Sequence, residues 1–259
     1  MIFDCRQSTS AVFFDVDFTL IYPGPAFQGE GYRRFCAAHG IEVDPGRYDA
    51  AIRQALSAPE AVQDHVYDHE VFTRYIGRII EAMGGSGERL NECARHIYEE
   101  WADCQHFRLY DDVEPALRAL SAAGLKIGLI SNTHRCLSTF QRHFELDAFI
   151  HGALSSSEHG YMKPHPSIFE AVLKLFDVDA SQAVMVGDSL AADVQGAIGV
   201  GMRGVLVHRS TEPAPEAGVP VISSLMELPD LILEARSANG PQAGADEYER
   251  RSALLPDCS

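Results

Sequence analysis

Asp15 and Asp17 stand two residues apart, directly after the apolar run Ala11-Val12-Phe13-Phe14. Paired carboxylates are costly to hold near a protein interior unless something cationic meets them. Three further clusters follow along the chain. Ser131-Asn132-Thr133 comes after the apolar run 126–130, and Lys163 sits in Tyr161-Met162-Lys163-Pro164-His165-Pro166. Gly187-Asp188-Ser189-Leu190-Ala191-Ala192-Asp193 comes after Ala183-Val184-Met185-Val186. Singly, each has a plain structural explanation: an acidic turn, a helix N-cap, a solvated lysine, an acid at a helix dipole. Jointly they describe one chemistry. The aspartates repel one another until a hard cation joins them, and Mg²⁺ takes a few carboxylate oxygens together with phosphate oxygens and water. A hydroxyl and backbone N–H groups at a helix start suit a phosphate. Lysine adds a point charge for the same anion.

These residues need a scaffold that brings them to one edge. Short apolar runs at 11–14, 126–130, 183–186 and 205–207, with a weaker one at 149–154, read as strands buried on both faces. Helical patterns fall between them. Val113, Ala116, Leu117 and Leu120 repeat at i, i+3, i+4, i+7, with Glu114 in the first turn and Gly124 as the stop. Ile168, Val172 and Leu175 mark another helix, with Pro166 suited to its first turn. The alternation predicts an α/β fold with a doubly wound, mostly parallel, Rossmann-like sheet. In such sheets ligands bind beyond the carboxyl ends of the strands. All four clusters fall there or at helix starts.

Residues 24–107 have a different texture. Phe72, Tyr75, Ile76, Ile79, Ile80 and Met83 form an apolar stripe closed by Gly84-Gly85, and 31–39, 47–56 and 88–101 are further helix candidates. The expected division is an α/β core of residues 1–23 and 108–234, an inserted α-helical cap of 24–107, and a mobile Gly-, Ala- and Ser-rich tail of 235–259. His65 and His69 have the i, i+4 spacing of metal ligands on a helix, but no third ligand at matching spacing. They read as polar residues of the surface or of the edge of the cap that faces substrate.

The 259 residues carry 21 basic and 37 acidic side chains, a formal charge of −16. That balance argues against nucleic acid or an anionic membrane as a partner. It also means that any anion site must be assembled locally. No stretch approaches about 18 uninterrupted apolar residues. The opening MIFDCRQSTS lacks the pattern of a signal peptide. The six cysteines include no C-x-x-C pair. A cytoplasmic protein with reduced thiols is expected. Composition does not specify the oligomeric state.

With Asp15-Val16-Asp17-Phe18-Thr19, Ser131, Lys163, and Gly187-Asp188 with Asp193 in this order, the chain resembles the haloacid dehalogenase-like hydrolases across about residues 10–210. The subgroup it resembles carries a helical cap after the first strand. The resemblance implies a phosphatase whose nucleophile, Asp15, becomes an aspartyl-phosphate. Mg²⁺ would be held by the Asp15 and Asp188 carboxylates and the Asp17 backbone carbonyl. Ser131, Asn132 and Lys163 would bind the phosphoryl group, with Thr19, Ser189 and Asp193 in support. Asp17 would protonate the leaving alkoxide and then deprotonate water. Dehalogenases expel a halide and typically lack this second aspartate, so the resemblance favours a small phosphorylated metabolite as substrate. A phosphomutase of the same family, or a protein that keeps the fold for binding alone, are the rival readings. Two positions depart from the family pattern. Phe18 stands where glycine is frequent, and Ala192 where Asn or Asp is frequent.

Overall fold

The computed structural model describes residues 9–56, 63–210 and 217–237. Within them, eight strands run β1 (Ala11–Phe14), β2 (Ile21–Pro23), β3 (Phe107–Leu109), β4 (Lys126–Ser131), β5 (Gly152–Ser155), β6 (Ala183–Gly187), β7 (Arg203–Val207) and β8 (Val221–Ile222). Six of these make a parallel sheet in the order β5-β4-β1-β6-β7-β8. The chain builds outward from β1 to one side through β4 and β5. It then returns to the other side through β6, β7 and β8. The crevice where winding reverses therefore lies at the carboxyl end of β1, flanked by β4 and β6. Open α/β sheets bind their ligands at this switch point.

Alternation within β1 sends Ala11 and Phe13 to one face and Val12 and Phe14 to the other, and all four are buried. Among the described residues ten α-helices accompany the strands: α1 (Gly29–Ala38), α2 (Tyr48–Leu56), α3 (His69–Ala82), α4 (Leu90–Glu100), α5 (Val113–Ala122), α6 (Leu137–His143), α7 (Ser156–His159), α8 (Pro166–Phe176), α9 (Gly196–Gly199) and α10 (Leu228–Ser237). The four apolar residues expected on α5 are all fully buried. On α8 the expected stripe is wrong by one member. Leu175 is 60% exposed, while Phe169, Leu173 and Phe176 join Ile168 and Val172 inside. The Phe176 ring meets Phe13 of β1 edge-on at 4.8 Å. That contact rotates Leu175 out to solvent.

Helices α1 to α4 lie between β2 and β3, which pair antiparallel with Ile21 opposite Leu109 and Pro23 opposite Phe107. The chain thus enters and leaves this helical stretch through adjacent stems. A Cβ on Gly24 would lie 2.8 Å from the His106 carbonyl, so the close approach of the stems needs a glycine there. A second tether, the bridge between Val66 and Tyr161, joins the helical stretch to the loop before α8. The six residues of the expected stripe sit on α3 or at its C-cap, and Ile76, Ile79, Ile80 and Met83 are buried. Gly84, at φ +98°, ends the helix.

His65 and His69 do not share a helix. His65 has φ +54° in the turn before α3, and His69 begins α3 beside Asp68 and Glu70. Helix α10 continues through Ser237, past the expected start of the tail at 235. The rest of that tail lies outside the described residues. No described helix is long and apolar enough to cross a membrane.

Candidate active site

The site is assembled at the carboxyl edge of β4, β1 and β6. Phe14 is in register with Leu129 and with Val186. Asp15, Ser131 and Asp188 therefore all emerge just beyond the same level. The Asp15 N–H donates to the Val186 carbonyl at 2.9 Å, which fixes where the nucleophile candidate leaves the sheet. The chain then makes a tight loop in which the Phe18 N–H donates to Ile21 O at 2.7 Å. That loop places Phe18 at φ +64°. The left-handed region is where glycine is at ease and phenylalanine is strained, so the sequence departure at this position has a conformational cost.

Lys163 reaches into the cluster from the loop before α8. Its Nζ lies 2.6 Å from Asp15 Oδ1, 2.6 Å from Asp193 Oδ1 and 2.7 Å from the Ile130 carbonyl. All three ammonium donors are thus used. Burial opposes the charge on Lys163, but Asp15 and Asp193 outweigh it and hold the ammonium well above its ordinary pKa. The Asn132 side chain accepts from the Lys163 N–H at 2.7 Å and donates to the Lys163 carbonyl at 2.9 Å. Asn132, a residue expected to bind phosphate, lines the cavity and spends both ends of its side-chain amide on aiming Lys163.

Asp193 is brought back over the sheet edge by a π-helical turn, Leu190–Gln195. Its Oδ2 accepts from the Ser189 N–H at 3.0 Å while Oδ1 meets Lys163. Ser189 caps the same turn by accepting from the Ala192 N–H at 3.1 Å. A Cβ on Gly187 would fall 2.2 Å from Asp193 Oδ2, so Asp193 needs glycine at 187 to sit where it does. Thr19, fully buried, accepts from the Asp188 N–H at 3.1 Å and ties the loop after β1 to the loop after β6.

Asp15, Asp188 and Asp193 each offer an oxygen, all within 4.8 Å of one another. Lost solvent and the charges of Asp15 and Asp193 push the Asp188 carboxyl up to about 8. Burial pushes Asp193 up to about 6 against the pull of Lys163. Were all three carboxylates ionised, one lysine would leave two negative charges in excess, a repulsion that contributes to the raised Asp188 pKa. An all-oxygen donor set with that excess fits a hard divalent cation such as Mg²⁺. Among the described residues no grouping with His65 or His69 offers a second site.

Arg135, which follows the Ser131 cluster, belongs to the site as well. Only 1% of its surface is exposed. Its Nη1 lies 3.1 Å from both oxygens of Asp17, and its Nη2 donates to the Trp101 carbonyl at 2.8 Å. The guanidinium stacks over the Phe107 ring at 4.4 Å. Burial raises the Asp17 pKa, with the charge of Asp15 acting in the same direction, while Arg135 opposes both. Nothing in the local sequence marks Arg135 as buried. Its partners come from the loop after β1 and from residues 101 and 107.

A cavity of about 780 Å³ opens over this edge. Its floor includes Asp17, Asn132, Thr133 and Asp188, and most of its walls come from the helical stretch between β2 and β3, with Phe18, Pro23 and His134 completing them.

Parallel strands, a switch-point aspartate and an aspartate-rich cluster clamped by lysine mark the carboxyl edge of the sheet as the candidate active site. The chain belongs to the haloacid dehalogenase-like hydrolase family, whose model matches residues 9–201. It is 27% identical over 213 residues to the haloacid dehalogenase-like hydrolase domain-containing protein 3 of Homo sapiens, covering 79% of this chain and 85% of that one. It is 28% identical over 235 residues to the glyceraldehyde 3-phosphate phosphatase of Methanopyrus kandleri, covering 86% and 97%. In structure it is similar to a 2-haloacid dehalogenase from Pseudomonas syringae, with 25% identity, a TM-score of 0.60 and coverage of 87% and 99%.

Proposed function

We propose that this hydrolase cleaves a phosphate monoester through a covalent aspartyl-phosphate on Asp15, with Mg²⁺ as cofactor and a small phosphorylated metabolite as substrate. The observation that carries the reading is the buried contact of Lys163 Nζ with Asp15 Oδ1, braced from behind by Asp193. A carboxylate fixed in this way is oriented for in-line attack, and such phosphoryl transfer depends mainly on positioning and charge stabilisation.

Asp15 attacks phosphorus, the ester P–O bond breaks, and the leaving alkoxide takes a proton from Asp17. Water then loses its proton to Asp17 and attacks the phosphorus. The bond to Asp15 breaks and inorganic phosphate leaves. The two half-reactions ask Asp17 to be an acid and then a base. Burial and Asp15 favour the protonated carboxyl, and Arg135 favours the carboxylate. The balance suits a group that must do both. Dehalogenation has no such need, so an aspartate at 17 in the grip of a buried arginine supports ester hydrolysis. The Asp15 and Asp188 carboxylates and the Asp17 carbonyl would hold Mg²⁺, which when bound neutralises charge on the transferring group. Ser131 and the Asn132 backbone would bind phosphoryl oxygens, and Lys163 would join them by exchanging one of its three present acceptors for the phosphoryl group. The helices between β2 and β3 would act as a cap that keeps bulk water from the acyl phosphate.

Phosphate release from a panel of phosphate esters tests the reading. Wild type with Mg²⁺ should release phosphate, a chelator should stop it, and fresh Mg²⁺ should restore it. Acid-quenched wild type should carry substrate-derived phosphate that Asp15→Asn lacks. Equal release by wild type and Asp15→Asn would overturn the assignment, and transfer to a second hydroxyl would point to a mutase.

A further inference from the structure

We propose that the leaving group of the substrate carries a bulky apolar ring, and that Phe18 is a specificity-determining residue that packs against it. The proposal rests on the phosphomonoesterase reading for its chemistry and on the cavity walls for its content.

Away from the floor, the cavity is walled by rings and branched aliphatic side chains, among them Phe27, Phe72, Ile76, Tyr98 and Trp101. Two of the wall tyrosines offer faces rather than hydroxyls. The Tyr48 hydroxyl donates to the Phe27 carbonyl at 2.5 Å, and the Tyr98 and Tyr67 hydroxyls bond each other at 2.5 Å. The charged wall residues are Asp49 and Arg53, both exposed and one turn apart on α2. The neutral polar groups of Gln28, Tyr32, Tyr75 and His134 are scattered among these faces, and Arg53 is the one cation among the described residues of the lining. A compact, multiply charged leaving group would therefore shed its water with a single charge to meet it, which is unfavourable. An apolar ring would replace water with contact over most of its area.

Phe18 sharpens the argument. It sits one residue after Asp17, at a φ that favours glycine, yet the residue is 45% exposed and lines the cavity. No burial in the core compensates for the backbone strain. Strain kept without a packing reason is a mark of function. The ring stands 6.4 Å from that of Trp101, so the two flank the path from the nucleophile into the cavity. The volume leaves room for a ring larger than a three-carbon chain.

The test uses alkyl phosphates, so that leaving-group reactivity is matched. The kcat/KM for 3-phenylpropyl phosphate should exceed that for propyl phosphate and glycerol 3-phosphate by roughly thirtyfold, about 2 kcal/mol at 1.36 kcal/mol per tenfold. In Phe18→Gly and in Phe72→Ala that preference should shrink to a few-fold, chiefly through KM for the ring-bearing ester. In parallel, 3-phenylpropylphosphonate and propylphosphonate are titrated calorimetrically into wild type and Asp15→Asn with Mg²⁺. This reads the cavity without turnover and with the Phe18 loop intact. Tighter binding of the phenyl compound in both proteins supports the proposal even if no ester is cleaved, in which case the hydrolysis reading alone falls. Cleavage of all esters with no preference for the ring, or equal binding of the two phosphonates, overturns the proposal and leaves hydrolysis standing.

Discussion

The sheet edge and the helical wall facing it are built on opposite principles. At the edge nearly every polar group is committed. Lys163 spends three donors, Asn132 both ends of its amide, and Asp193 both oxygens. A buried charge left unpaired costs several kcal/mol, so this arrangement tolerates few other residues. The wall instead presents ring faces and aliphatic groups, where volume and shape matter more than any one atom. The contrast separates a chemistry that cannot vary from a selection that can.

The contrast is broken most directly at Lys163. Lys163→Met should abolish phosphate release and lower stability by about 3–5 kcal/mol, because Asp15 and Asp193 are left facing each other without a cation. Mg²⁺ should restore part of the lost stability, read as a rise in Tm on titration, and no rise would contradict the charge accounting. A wall substitution such as Phe72→Ala should alter rates on different esters by tens of fold at most. A loss as large as that of Lys163→Met would erase the distinction between the regions.

Next in size is Arg135, which belongs to both regions through Asp17 and the Trp101 carbonyl. Arg135→Met should lower kcat about a hundredfold with a smaller change in KM, as expected when an acid–base group loses its orientation. If KM alone rose, Arg135 would belong with the wall.

A third prediction concerns the brace behind the loop after β1. Arg209 donates to Asp112 at 2.9 and 3.0 Å and to the Thr19 carbonyl at 2.9 Å, and stacks over Tyr110 at 3.8 Å. Burial pushes the Asp112 pKa up, but bonds from Arg209, the Leu225 N–H and Ser224 outweigh it and hold it below the usual value of 3.8. A depressed folded-state pKa adds stability that is complete above the unfolded value and lost as pH falls through the folded one. Arg209→Met should therefore cost about 2–3 kcal/mol at neutral pH. It should also flatten the acid limb of stability below about pH 4, measured by denaturant unfolding across pH. An unchanged limb would show that Asp112 draws its low pKa from other partners.

The smallest effect is expected at Phe18. Relief of left-handed strain is worth about 1–3 kcal/mol, and glycine gives back about 0.5–1 kcal/mol in unfolded-chain entropy. Phe18→Gly should thus raise Tm slightly while eroding selection at the wall. A clear fall in Tm would mean that the ring is a packing element after all.

Much of the sheet edge was legible in the sequence. Asp15, Ser131 and Asp188 each follow a strand whose apolar run is plain, and Lys163 lies before a helix announced by proline. Strand order then leaves them one edge to share. That the Asn132 side chain also aims Lys163 was not legible, because an amide's partner is set by what is nearby in space. Leu175 was misplaced because a helix with apolar residues on several sides can rotate either way until Phe176 finds Phe13. Strands β2, β3 and β8 were too short to show a period.

What the chain determined by itself was the parallel α/β architecture, the helical character of most of 24–107, and the family marked by its four ordered motifs, since these depend on local periodicity and on residues adjacent in sequence. Only the tertiary structure decided that Arg135 lies buried between Asp17 and Trp101, that a π-turn carries Asp193 back to Lys163, and that rings scattered between residues 18 and 101 wall one cavity over the sheet edge. Contacts of that kind join positions tens of residues apart, and their energies come from burial and charge pairing that do not exist until the chain has folded.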